Sequence, residues 1–343
     1  MSGTDRLRFG TVGAGFWSGY QLAGWCELGD EAHCVAIADL DLGKAKALAH
    51  RFGVPSVYTD AAAMLRNEKL DFVDVVTDVG SHHALVRMVA EHRVDVICQK
   101  PMARSFEEAF EMVEFCRIAH TKFFVNENWR WQKPIRALKR SLGSGAIGFP
   151  IRARLDMLSG FPVFRNQPSL RLLDQFIVTD LGSHLLDVAR FLFGEPDSVY
   201  CVTRRVHPDI RGEDVATITL RYTDGMVVLV ELAYAGNVLE RECFPQTLIF
   251  VEGERGSAEI GRDYELRITN SSGVAVTRHP PTEYAWADPD YKIVQSSIVD
   301  CQRDLVTGLR GGDAESSAAD NLKTMTLVYA AYESALENKV VSV

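Results

Sequence analysis

The chain has 343 residues, 47% of them hydrophobic and 24% charged, with a formal net charge of −9. That composition excludes a disordered chain, and the length predicts two domains, because single cores stop growing at roughly 250–300 residues. The acidic balance argues against nucleic acid or an anionic membrane as partner, and the densest basic stretch, Arg136, Lys139 and Arg140, reads as a solvated helix face.

Up to residue 125, apolar runs at Leu7–Val12, Cys34–Ala38, Phe72–Val76, Val94–Cys98 and Phe123–Val125 alternate with helical stretches. These stretches are Gly43–Phe52, His82–Glu91 and Ser105–Ala119, the last opened by a Ser105/Glu108 capping box. Buried runs separated by helices predict a doubly wound parallel sheet over residues 1–125. Over 126–343 the rhythm changes to α+β with a large, mostly antiparallel sheet. A helix is expected over Pro134–Leu142, an extended segment over Ile151–Ser159, and a helix over Leu181–Phe193 after a Phe/Pro-rich loop. From Ser198 to Thr277 strands follow one another, and Thr217–Tyr222 and Val227–Leu232 flank Asp224-Gly225, a hairpin signal. Helices close the chain at Tyr291–Leu309 and Ala318–Glu337, the last free to pack back on the first domain.

Seven cysteines (Cys26, Cys34, Cys98, Cys116, Cys201, Cys243 and Cys301) lie without a C-x-x-C pair, as expected of free thiols in a reducing compartment. The N-terminal segment leads into a glycine-broken apolar run too short for a signal-peptide core. No stretch reaches the ~18 apolar residues of a spanning helix, so a cytoplasmic location is expected.

Gly10-Thr11-Val12-Gly13-Ala14-Gly15-Phe16-Trp17-Ser18 reads as strand, glycine turn and helix start. Gly13 permits the turn, Gly15 lets the backbone approach a pyrophosphate, and the helix N-terminus supplies amides and dipole, as in a Rossmann dinucleotide site. Ser18 stands where the motif has Gly or Ala, a change that helix–strand packing tolerates. Asp39 ends the second apolar run, where a carboxylate accepts both adenosine ribose hydroxyls and repels a 2′-phosphate. Leu40 and Asp41 follow it with no basic residue, which favours NAD over NADP. Asp39 also suits a helix cap, and the two roles are compatible.

Lys100 lies just past the Val94–Cys98 run, where open α/β sheets bind ligands, and Pro101 fixes the turn in trans or cis. A surface lysine after a strand fits equally. In Asp180-Leu181-Gly182-Ser183-His184-Leu185-Leu186-Asp187, regular helix periodicity puts Asp180, His184 and Asp187 on one face, beside an apolar stripe of Leu181, Leu185, Val188 and Leu192. His184 is thus expected on the polar side, where carboxylates orient the imidazole and stabilise the charge it takes on as a general base. A solvated histidine with incidental acidic neighbours has the same spacing. His82, His83 and His184 lack a cysteine pair or an H-E-x-x-H helix, so no metal is expected.

Together these motifs resemble the Gfo/Idh/MocA family, the glucose–fructose oxidoreductase and inositol dehydrogenase group, over nearly the whole chain. Gly13-x-Gly15 and Asp39 match its cofactor motif, and Thr77 with His82 its T-P-x-x-x-H segment. Gln99-Lys100-Pro101 matches E-K-P, Arg130 falls in its N-x-R-F-like segment, and Asp180 to Asp187 match its D-x-G-x-H-x-x-D. Gln99 for Glu and Asp78 for Pro are departures.

The resemblance implies an NAD-dependent oxidoreductase acting on a CH–OH group of a sugar or polyol. Lys100, Asp180 and His184 would be its catalytic set, with His184 the base and Lys100 on the reacting hydroxyl. Gly13, Gly15, Phe16, Trp17, Asp39, Thr77, His82, Gln99 and Lys100 would hold the cofactor. Asn128, Arg130, Asp180 and His184 would meet the substrate, with Phe161, Phe164 and Trp286 in the pocket wall. It also implies a homo-oligomer, dimer or tetramer, through the C-terminal sheet. The segments Cys98–Ala103 and Glu127–Gln132 are most similar to family members acting on the branched pentose D-apiose. A non-catalytic dinucleotide-binding regulator and an NAD-dependent glycosidase are the alternatives the family offers.

Overall fold

The computed structural model describes residues 6–235, 244 and 246–343. Its contacts form two compact units: one runs to Asn128 and takes in Tyr284–Ala287 and Gln295–Lys323, the other comprises Trp129–Glu283, Asp288–Val294 and Thr324–Val343.

The first unit is built from β1 (Leu7–Val12), α1 (Ser18–Glu27), β2 (Ala32–Ala38), α2 (Leu42–Phe52), β3 (Ser56–Tyr58), α3 (Ala61–Asn67), β4 (Phe72–Val75), α4 (Val79–Glu91), β5 (Asp95–Gln99), α5 (Phe106–Ala119) and β6 (Phe123–Asn126). The strands form one parallel sheet in the order β3-β2-β1-β4-β5-β6. Strand order reverses between β1 and β4, so the crevice at their carboxyl ends is the expected ligand position of this topology. Phe9, Phe72 and Trp25 pack the core, with Phe9 stacked on Phe72 at a centroid distance of 4.8 Å. Helix α5 starts as its capping residues predict: Ser105 accepts the Glu108 amide at 3.2 Å. The Glu108 carboxylate, however, reaches the amide of Arg104 rather than that of the cap.

The second unit opens with a 3₁₀ turn, Trp129–Trp131, followed by α6 (Lys133–Gly143), β7 (Pro150–Leu158) and α7 (Val163–Asn166). A π-helical turn, Val178–Gly182, leads into α8 (Ser183–Phe193). Then come β8 (Ser198–Arg204), β9 (Val215–Arg221), β10 (Val227–Ala233), β11 (Leu248–Gly253), β12 (Gly256–Ile260), β13 (Glu265–Asn270) and β14 (Gly273–Arg278). α9 (Lys292–Leu309), most of which belongs to the first unit, and α10 (Ala318–Glu337), most of which belongs to the second, precede β15 (Val341–Ser342), which pairs with β8. The strands order as β14-β13-β12-β11-β7-β10-β9-β8-β15, with only the β7–β10 pair parallel. The β9–β10 hairpin turns at Asp224-Gly225 as its sequence predicts, with Gly225 at φ 90°. Alternate residues Leu155, Ile218, Val230 and Val251 are buried on one face of this sheet.

One expectation needs correction. Arg136 and Lys139 are not a solvated face: the Arg136 guanidinium lies over Trp131 at 4.3 Å and Phe191 at 4.9 Å. Lys139 Nζ donates to the Phe191 carbonyl at 2.6 Å, capping the end of α8. The six described cysteines are free thiols, and Cys243 lies outside the described residues.

Candidate active site

The first-unit residues expected at the cofactor lie in or beside the turns that follow β1, β2, β4 and β5, except His82, which lies within α4. Gly13 follows β1 with φ 104°, and a Cβ there would lie 2.2 Å from the Val76 carbonyl, so only glycine fits. Gly15 has nothing within 4 Å of its missing Cβ, which leaves backbone facing open space. Ser18 is buried and its hydroxyl donates to Val76 O at 3.4 Å, so the third motif position bonds the residue that follows β4 instead of merely clearing it. Trp17, the N-cap of α1, offers no side-chain acceptor to the helix amides. Phe16, Trp17 and Tyr20 meet edge to face beside this turn, with centroids 5.3–5.7 Å apart.

Asp39, after β2, accepts the Ala14 amide on Oδ2 and the Asp41 amide on Oδ1. The cap of α2 is Asp41, which accepts from Gly43 and Lys44, so the capping role considered for Asp39 falls to its neighbour. Leu40 is 95% exposed beside it.

Thr77 follows β4, and its hydroxyl accepts from Ser81 at 2.7 Å. Asp78 caps α4, accepting the Gly80 amide at 3.0 Å, so the helix starts at Val79 rather than His82. His82 faces inward where a cofactor contact is expected. Its ring is buried, with Nδ1 3.1 Å from Pro101 O and Nε2 3.2 Å from Thr77 O. Burial lowers its pKa, and the carbonyls of Thr77, Met102 and Pro101 oppose that shift. It ties the Thr77 turn to the Lys100-Pro101 turn, whose peptide bond is cis. Gln99 folds back so that Oε1 accepts the Lys100 amide at 2.8 Å, and Lys100 begins the chain beyond β5. Asn128 is buried and donates to Ser297 Oγ at 2.7 Å. Trp286 donates to Glu27 at 2.9 Å and stacks on Tyr284.

In the second unit, His184 is not on a polar side. Every residue from Ser183 to Arg190 is buried, because α8 is covered by α6, β10 and the 3₁₀ turn rather than along a single stripe. Asp180 lies in the π turn, whose wider helical step breaks the regular spacing assumed between it and His184. Tyr234 is buried near it, and burial, then the Asp180 charge, push its hydroxyl well up. Asp187 accepts from Arg130 Nε at 2.8 Å and Nη2 at 2.5 Å, and from Thr324 Oγ1 at 3.1 Å. Arg130, expected at the substrate, therefore forks a buried carboxylate of its own unit.

Sequence reasoning passed over Trp129. Its ring lies on His184 with centroids 4.0 Å apart and planes at 19°, and Nε1 donates to Thr247 at 2.9 Å. An aromatic between Asn128 and Arg130 was the available signal. Phe244 meets Trp129 edge-on, and Phe161 and Tyr291 continue the aromatic cluster, while Phe164 packs on Phe176.

Residues 7–127 match the GFO/IDH/MocA oxidoreductase family with an NAD-binding Rossmann fold, and residues 135–259 match a GFO/IDH/MocA C-terminal domain. Over 337 residues the chain is 43% identical to D-apiose dehydrogenase of Paraburkholderia graminis, spanning 98% of this chain and 89% of that protein. The chain belongs to the Gfo/Idh/MocA oxidoreductase family. D-apiose dehydrogenase of Rhizobium rhizogenes is 41% identical, across 98% of this chain and 97% of that one. Among solved structures, an oxidoreductase from Agrobacterium radiobacter, crystallised with NAD+, L-tartaric acid and magnesium, superposes with a TM-score of 0.95. That likeness is at 41% identity and covers 98% of both chains. Residues 7–127 are thus the NAD-binding Rossmann fold of a Gfo/Idh/MocA oxidoreductase. Its residues fit the dinucleotide: the open backbone at Gly15 admits a pyrophosphate, and the Asp39 carboxylate stands beside the apolar Leu40.

Proposed function

We propose that the chain is an NAD-dependent D-apiose dehydrogenase that oxidises the anomeric hydroxyl of this branched pentose to a lactone. The observation that carries the reading is 43% and 41% identity to two D-apiose dehydrogenases, each across 98% of the chain. NAD, when bound, supplies the acceptor for the hydride that leaves the substrate carbon. The Gly13–Gly15 turn and the start of α1 hold the pyrophosphate and Asp39 the ribose hydroxyls, with Phe16, Trp17, Thr77, Gln99 and Lys100 around the rest.

His184 takes the hydroxyl proton as general base, and Lys100 donates to the same oxygen, lowering the hydroxyl pKa as the carbonyl forms. Asp180 positions the sugar and His184, and Asn128 adds a sugar contact. One proton and one hydride leave the substrate, and His184 passes its proton to water. The test is NADH formation on mixing protein, NAD and a panel of aldoses and polyols that includes D-apiose. Turnover highest on D-apiose and lost in Lys100→Ala supports the reading. An inert panel, or a Lys100→Ala variant with parental rates, defeats it.

The same reading makes the enzyme a cytoplasmic homo-oligomer, dimer or tetramer, through the outer face of the nine-stranded sheet. In support, Leu229 and Phe250 flank Arg154 across β10, β7 and β11 and are 37% and 40% exposed. Val202 on β8 is 53% exposed. No described helix is long and apolar enough to cross a membrane. Light scattering on Leu229→Lys/Phe250→Lys should report a smaller particle than the parent, and an unchanged mass would remove this assembly. Cell fractionation tests the location, and an exported or membrane-bound protein would contradict it.

A further inference from the structure

The contact between Trp129 and His184 lies wholly within the second unit. Three anchors hold the indole in place. Its N–H donates to the buried Thr247 hydroxyl. The Phe244 ring meets it edge-on at 5.9 Å. The next residue, Arg130, forks Asp187 of α8, so the 3₁₀ turn is tied to the helix that carries His184. An indole fixed in this way limits how far the imidazole can tilt.

Two consequences follow from ring chemistry. The lone pair with which an imidazole accepts a proton lies in the ring plane, so a stack that fixes the plane fixes the direction of acceptance. A tryptophan face is also the best aromatic partner for a cation, so the contact strengthens as the imidazole becomes imidazolium. An interaction that grows along the reaction speeds turnover more than it tightens binding.

We propose that Trp129 is a positioning residue for His184. It sets the plane of the base, and its face stabilises the imidazolium formed when the sugar hydroxyl gives up its proton. This rests on the reading of His184 as the general base.

The experiment measures kcat and KM on D-apiose for Trp129→Leu, Trp129→Phe and His184→Gln, with folded sites counted by NADH titration. Trp129→Leu should lower kcat per site about ten-fold, with KM for sugar and NAD within about two-fold of the parent. Trp129→Phe keeps a ring face without the Thr247 bond and should recover to within about three-fold of the parent. His184→Gln should be inactive. Parental kcat in Trp129→Leu, or a Phe variant no better than Leu, overturns the positioning role and leaves the base intact. Parental turnover in His184→Gln removes the base and the proposal together. If Trp129→Leu yields no NADH-binding protein, Thr247→Val, which releases only the indole N–H, carries the test. A kcat lowered about three-fold at unchanged KM supports the proposal, and an unchanged kcat overturns it.

Discussion

Asp39 reaches back from the end of β2 to the glycine turn, where its Oδ2 accepts the Ala14 amide at 2.7 Å. Its other oxygen accepts the Asp41 amide at 2.8 Å, so the carboxylate is held from both sides. On the proposed reading, a carboxylate pinned in this way cannot swing clear of a 2′-phosphate, and its charge would discriminate against NADP.

Asp39→Ala combined with Leu40→Arg removes that repulsion and adds a charge-assisted donor at a fully accessible position. The ratio of kcat/KM for NADP to that for NAD should rise by roughly ten- to a hundred-fold. Steady-state rates with both cofactors give the ratio, and an unchanged ratio would show that preference is set elsewhere.

Asp74 on β4 is fully buried, accepting the Trp25 indole N–H at 2.9 Å and Asn126 Nδ2 at 3.0 Å. Burial pushes it from 3.8 up to about 6, against the pull of those two donors. Because the folded pKa lies above the unfolded one, the native state binds more protons between these values. The stabilisation is therefore complete below the window and lost as pH rises through it, roughly 3 kcal/mol in all. Asp74→Asn, with the Asn126 amide turned to donate and accept, should remove this dependence. Urea unfolding at about pH 4 and about pH 7 should show the variant gaining on the parent at the higher pH. Parallel pH curves for the two proteins would contradict this.

Arg130→Met leaves the buried Asp187 carboxylate without its fork and should destabilise the protein by about 3–5 kcal/mol. Arg130→Met/Asp187→Leu should recover much of that loss, as removing both partners does for buried pairs. Denaturant midpoints for the three proteins decide it. Full stability in Arg130→Met, coupled with a raised sugar KM, would return Arg130 to the substrate.

Glu213 braces the segment that carries Asp180. Its Oε1 accepts the Phe176 and Val178 amides at 3.1 and 3.3 Å and the Tyr332 hydroxyl at 2.7 Å, and that hydroxyl accepts the Thr179 amide. Glu213→Ala should cost about 1–3 kcal/mol and raise the sugar KM, whereas Tyr332→Phe, which keeps the Phe176 and Val178 amides bonded and releases only that of Thr179, should cost less. Equal effects from the two, by thermal unfolding and kinetics, would place the brace in the tyrosine.

The parallel sheet was legible because its strands are short, continuous apolar runs, and β1 at Leu7–Val12 coincides with the expected span. β3 was not, since all three of its residues are half-buried on an edge and leave no apolar run. The Asp60 cap of α3 and the Asp78 cap of α4 were the overlooked start signals. In the second unit the helix bearing His184 was found, but its surroundings were not. Periodicity reports one helix's own faces, whereas the burial of Asp187 and Arg190 depends on Arg130, Glu195 and Thr324, distant or unremarkable in sequence. The stacking of Trp129 on His184 is likewise a tertiary fact.

The most direct measurement is the fate of the label when D-apiose deuterated at its anomeric carbon is oxidised with NAD. The account predicts that deuterium appears in the reduced nicotinamide ring and that the lactone is label-free, with neither formed by His184→Gln. NADH without deuterium, or a lactone that keeps it, would contradict oxidation at that carbon.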